Sequence, residues 1–219
     1  MKKVVLFALL AASSVGGWAA DYVGVSYGLS RLGACPSAGD CDAMARSMKL
    51  LAATDAPDRL KALSISSIEV SFAKMGNASE RYSAPLPLQS QDNIDSNTPV
   101  IGQYTQARQA TAMGLSLVSR HQLAHGLTFA ARFGVAYTTS TRTTHLGVAY
   151  EDADAVLQPY QGRVQQVSAS RLAPIIGASV EYELLSGTRF TTGVEMTRYS
   201  VAGDAAPYWQ FHFGVQQDL

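Results

Sequence analysis

Three features of the 219-residue sequence predict an all-β protein, an eight-stranded antiparallel up-and-down transmembrane β-barrel. Apolar residues alternate with small or polar ones at period two along successive segments. No run beyond residue 20 is long and apolar enough for a membrane-spanning helix. The connections between the segments alternate between short and long, which gathers the long ones at one end of a meander. Composition agrees with one domain, at 47% hydrophobic and 16% charged residues. With 17 Lys and Arg against 17 Asp and Glu there is no basic footprint for nucleic acid, which is not an expected partner. Disorder is excluded by the apolar content.

The chain opens on an export leader. Lys2 and Lys3 form a charged start, residues 4–12 an apolar stretch, and Gly17-Trp18-Ala19 a small-residue cleavage signal. Nine apolar residues are too few to cross a bilayer as a helix, so residues 1–19 are assigned as a signal peptide and 20–219 as the barrel. Export into an oxidising compartment gives Cys35 and Cys41, which flank the turn-rich Pro36-Ser37-Ala38-Gly39-Asp40, an expected loop disulfide; two free thiols are the alternative.

The first strand, residues 22–29, sets Val23, Val25, Tyr27 and Leu29 against Gly24, Ser26 and Gly28. Residues 42–53 are the ambiguous segment. Met44, Met48 and Leu51 have helical spacing behind a possible Asp42 cap, whereas Met48, Leu50 and Ala52 would line one face of a strand. It is counted as a strand. In residues 67–74, Ile68, Val70 and Phe72 oppose Ser67, Glu69, Ser71 and Ala73; in 111–119, Met113, Leu115 and Leu117 oppose Ala112, Gly114 and Ser116. Residues 127–138 alternate most regularly, with Phe129, Phe133, Val135 and Tyr137 on one side and Arg132 and Gly134 on the other. Residues 174–184 and 189–199 continue the pattern, placing Glu181 and Glu195 opposite Ile176, Val180, Val194 and Met196. The last strand, 208–216, alternates Trp209, Phe211, Phe213 and Val215 with Gln210, His212, Gly214 and Gln216. Short turns are expected at 55–58, 122–126 and 184–187, and long loops at 31–47, 75–109 and 140–171 with a shorter one at 202–207. An apolar outer band in lipid requires a closed sheet, because an open edge would leave backbone groups unpaired there.

Asp21-Tyr22-Val23-Gly24-Val25-Ser26-Tyr27-Gly28 after a leader, the early cysteine pair, Gly193-Val194-Glu195-Met196-Thr197-Arg198-Tyr199 and the aromatic last strand together resemble the small eight-stranded outer-membrane barrels of the OmpA-like and opacity-porin type. The resemblance implies an outer-membrane location, contact with outer-membrane lipid and the barrel assembly machinery, and a monomer. One departure is the end of the chain, Leu219 with Gln217 two positions earlier, where such proteins usually carry Phe and an apolar residue. Because the chain stops at the last strand, no peptidoglycan-binding domain is expected after it.

With the apolar side in lipid, Glu69, Arg132, Glu181, Glu195 and His212 face the lumen. They suit a narrow ion path or a polar plug. The plug is expected, because an eight-stranded lumen is filled by side chains. Gly24-Val25-Ser26-Tyr27-Gly28 fits the pattern of a nucleophile elbow, but lies within a strand instead of at a strand-to-helix turn. His121 and His125 have the spacing of a zinc pair but lie at a turn and lack the accompanying Glu, and Glu151, Asp152 and Asp154 lack the spacing of a calcium loop. No cofactor, metal or catalytic residue is expected. Mixed polar and aromatic loops point to a structural or surface-interaction role, with a host or surface ligand at the loops and no enzymatic activity. Two alternatives stand beside it. One is a lipid A-modifying barrel enzyme using Ser168 or Ser170 with Glu181. The other is a soluble periplasmic barrel that carries a ligand and has the two faces exchanged.

Overall fold

The computed structural model describes residues 20–32, 40–42, 44–85, 101–151, 157–160, 164–185, 187–201 and 204–219. The signal peptide assigned to 1–19, Cys35, Asp152 and Asp154 lie outside the described residues. Of the cysteine pair, the structure places the backbone of Cys41.

Ten strands follow in chain order: β1 Tyr22–Leu32, β2 Asp40–Asp42, β3 Met44–Asp55, β4 Ser67–Pro85, β5 Ile101–Ala124, β6 Leu127–Glu151, β7 Leu157–Tyr160, β8 Val164–Leu185, β9 Thr188–Val201 and β10 Asp204–Asp218. Eight of them form the wall. Each pairs antiparallel with the next in the order β1, β3, β4, β5, β6, β8, β9, β10, and β10 closes on β1 from Leu32↔Tyr208 to Tyr22↔Asp218. The short strands β2 and β7 add to β4 and β6 beyond the wall. The ambiguous segment is a strand: β3 buries every second residue from Ala45 to Ala53 and turns Met44, Arg46 and Met48 outward. Period two wins over the helical spacing because each of its residues pairs with β1 or β4 on either side.

Two expectations about the connections change. The link after β3 is not a tight turn at 55–58; it runs over residues 56–66 and holds a single helical turn, α1 Asp58–Lys61. The loops expected at 75–109 and 140–171 are largely strand, because β4 continues to Pro85, β5 begins at Ile101, β6 continues to Glu151 and β8 begins at Val164. The loop at 31–47 shrinks likewise, between Leu32 and Met44. Outside a membrane neither face of a sheet meets lipid, so the apolar alternation stops while the ladder of Thr, Ser and Gln residues goes on. The tight turn at His125-Gly126 is as expected, and Gly126 and Gly187, which precedes β9, both have positive φ, 73° and 86°.

The polarity of the wall is that of a protein in lipid. Large apolar side chains are exposed on all eight wall strands, including Tyr27, Met48, Phe72, Leu115, Phe133, Ile176, Phe190 and Phe213. The buried set is rich in Ser, Thr, Glu, Arg and Gln. Glycine makes the close strand contacts possible: a Cβ on Gly28 would lie 1.8 Å from the Phe211 carbonyl oxygen and one on Gly134 would lie 2.1 Å from that of Leu115.

Candidate functional site: a plugged lumen below an extended sheet

All five residues expected in the lumen are there. Glu69 and Glu181 are 1% exposed, Arg132 3%, and Glu195 and His212 7%. Arg132, from β6, lies between the two acids. Its Nε donates to Glu69 Oε2 at 2.9 Å, its Nη2 to Glu69 Oε1 at 3.3 Å and to Glu181 Oε1 at 3.1 Å, and its Nη1 to Ser179 Oγ. A planar guanidinium suits this task because it can serve two carboxylates at once.

Sequence reading missed the rest of the lattice. Arg120, near the end of β5, donates Nε to Glu181 Oε2 at 2.9 Å, Nη1 to Ser67 Oγ at 2.7 Å and Nη2 to Tyr22 Oη at 2.7 Å. Tyr22 Oη in turn donates to Glu69 Oε1 at 2.7 Å. The guanidinium carbons of Arg120 and Arg189 each lie 4.9 Å from the centre of the Tyr22 ring, cation–π contacts that hold the ring across the short-turn mouth. Arg189 also bonds to Asp218, and Lys49 pairs with Glu195 higher in the lumen. Lys49 fell in the ambiguous segment, and Arg120 and Arg189 lie at or just beyond the ends of the expected strands. Their parity along the strand was the available signal.

Above this charged layer the filling changes. Ala45, Ala73, Met75, Ala110, Ala112, Ala136 and Ile175 form a buried apolar cluster with Tyr199 and Tyr208, whose rings meet edge to face at 5.0 Å between centroids. The plug is therefore part ionic and part apolar, where the sequence reading had only a polar one. Ser26 Oγ, Thr191 Oγ1 and His212 Nδ1, on β1, β9 and β10, are buried polar atoms that meet no protein partner.

Beyond the apolar layer the sheet of β4, β5, β6 and β8 rises out of the barrel. These strands have 19, 24, 25 and 22 residues, against 11 to 15 for the other wall strands. About ten residues suffice to cross the hydrocarbon. Tyr82 and Tyr104 stack at 5.1 Å on the extension, Gln106 Nε2 donates to Tyr82 Oη at 2.8 Å, and Arg108 pairs with Glu80 at 3.2 Å. On the opposite face Thr139 and Thr141 bond across the strand to Ser170 and Ser168 at 3.0 and 3.1 Å.

The catalytic alternatives do not assemble. Ser26 lies within β1 instead of at a strand-to-helix turn; Ser168 and Ser170 are on the outer face, while Glu181 points into the lumen. His121 and His125 are both exposed at the β5–β6 turn, and no group of metal-ligating side chains occurs among the described residues. The soluble, ligand-carrying barrel is contradicted: Phe133, Phe211 and Phe213 face outward and the charges inward, the reverse of what it requires.

No family model matches the sequence, and no curated protein matches it. Among solved structures, the chain is similar to Neisserial surface protein A, at 11% identity over 90% of this chain and 96% of that one, with a TM-score of 0.49. It is similar to a major outer membrane protein of Thermus thermophilus, at 11% identity over 90% and 99%, TM-score 0.45. The attachment invasion locus protein Ail of Yersinia pestis follows at 10% identity over 90% and 99%, TM-score 0.38. A closed sheet with an apolar belt on every strand and its charges inside is satisfied only in lipid, and this chain is an integral outer-membrane β-barrel.

Proposed function

We propose that the protein is a non-conducting surface barrel that anchors a rigid recognition sheet, a structural and contact role without catalysis. One observation carries the reading: an ionic lattice and a buried apolar cluster occupy successive levels of the lumen, yet four neighbouring strands continue far past the belt. A transport function would leave the lumen open and would not need the extension. Contact with a surface or host molecule fits the stacked Tyr82 and Tyr104, the Glu80–Arg108 pair and the hydroxyl ladder, because a paired sheet presents polar groups at little ordering cost on binding.

The test is a variant in which residues 79–107 are replaced by a short turn. It is expected to keep the heat-dependent gel shift of a folded barrel and to lose binding of protein-expressing cells to host cells. Retained binding would overturn the contact role, and channel steps of the wild-type protein in a planar bilayer would overturn the plug.

A further inference from the structure

Four cations stand on the outer face of the wall at its loop end: Arg198 on β9, Arg31 on β1, Arg46 on β3 and Lys74 on β4. Each has the strand parity of the belt residues below it and is exposed. Among the described residues none of the four has an ion-pair partner. Their spacing follows the slant of the barrel. Arg198 pairs with Pro207 of β10, Arg31 with Trp209, two residues nearer the short turns; Arg46 pairs beside Leu29, again two nearer, and Lys74 beside Met48, two nearer still. The strand ends are staggered in the same sense, since β3 runs two residues past the partner of Tyr22 and β5 six past that of Ser67. A row that drops in register as the strands tilt stays near one level, so these cations form an arc along the loop-side edge of the belt. The exposed acids with described side chains, Asp21, Asp55, Asp58, Glu183 and Asp218, all lie at the other end.

A second feature lies below the Arg198 and Arg31 end of the arc. A cavity of about 570 Å³ opens on the outer surface across β1, β10, β9, β8 and β6, bordered by Tyr27, Phe211, Phe213 and Phe129, with Ala178 and Gly193 giving it depth. Leu29, on its rim, is two residues from Arg31, and Val194 is four from Arg198. Cations above an apolar groove match one molecule in both parts. We propose that the face made by β9, β10 and β1 binds a phosphate-bearing acyl lipid of the leaflet on the loop side, with its phosphates on Arg31 and Arg198 and an acyl chain in the groove. The assignment rests on the membrane reading above. An unpaired cation at the edge of the hydrocarbon gains most from an anion fixed at the same depth, and guanidinium groups suit phosphate oxygens.

The experiment uses the folded barrel in neutral detergent and native mass spectrometry, with bisphosphorylated lipid A, dephosphorylated lipid A and inorganic phosphate as probes. Wild type is expected to retain bisphosphorylated lipid A, and at least tenfold more weakly the dephosphorylated form. The variant R31Q/R198Q is expected to lose at least tenfold in affinity for the former, and Ala178→Phe, which fills the groove, to weaken it while keeping the cations. If the double variant fails to fold, Arg198→Gln alone is expected to show a several-fold loss. Equal affinity of wild type and the charge variants, indifference to the lipid phosphates, or binding of inorganic phosphate as tight as that of lipid would overturn the proposal. The heat-dependent gel shift reads the barrel separately: its absence in wild type would sink the membrane reading itself.

Discussion

The two halves of the lumen solve one packing problem in opposite ways. At the short-turn end Glu69, Glu181, Arg120, Arg132 and Tyr22 fill the tube with a lattice in which each carboxylate is served by two arginines. Toward the loops the same cross-section is filled by alanines, Met75, Ile175 and two tyrosines. The difference teaches that a membrane barrel of this width does not need a polar interior as such. It needs an interior that leaves no buried charge unpaired and no void unfilled. The ionic half is costly to disturb one partner at a time, whereas the apolar half loses stability in proportion to the volume removed.

The comparison breaks most sharply at Arg132. Arg132→Ala strands Glu69 and Glu181 in the lumen, and the expected loss is about 3 to 5 kcal/mol of stability in urea titrations of the protein in lipid vesicles. An unchanged midpoint would show that the lattice does not depend on it. In the apolar half, Tyr199→Ala opens a cavity beside Tyr208 and Met75 and is expected to cost about 3 kcal/mol by the same titration, with a measurable part recovered by a small apolar additive. Replacing a whole pair should behave differently from removing one member. K49M/E195L is expected to lie within about 1 kcal/mol of wild type or above it, because both desolvated charges go together; a loss as large as that of Arg132→Ala would mean the lumen requires ions at that level. The smallest effect belongs to Tyr199→Phe, which removes only the contact of the hydroxyl with the Met75 sulfur and should shift stability by less than about 1 kcal/mol.

Much of this was legible before the fold. Period two in residues 22–29, 67–74 and 127–138 divided each strand into an apolar and a polar side, while the choice between lipid outside and the exchanged-face barrel was decided by the structure, which turns the apolar side outward. Arg132, Glu69 and Glu181 could be assigned to the polar side on parity alone. Ile175 escaped because it lies between Pro174 and Ile176, two outward positions, so an apolar inward residue was hidden in an apolar run. The extension escaped for a related reason. From Thr138 onward β6 reads Thr-Thr-Ser-Thr-Arg-Thr-Thr, with no contrast between faces, and a strand without contrast looks like a loop.

By itself the sequence determined the number of wall strands, which side chains share a face and the end at which the long connections gather, because these follow from local periodicity and from the spacing of turn residues. The tertiary structure alone decided which of the inward side chains meet. Arg120 reaches Tyr22, 98 residues away, and Lys49 reaches Glu195, 146 away, only because the stagger of eight tilted strands brings those positions to one level of a closed tube. The same stagger draws Arg198, Arg31, Arg46 and Lys74 into one arc. Stagger is a property of the closed sheet, set by how all of its strands pair at once, and no single strand encodes it.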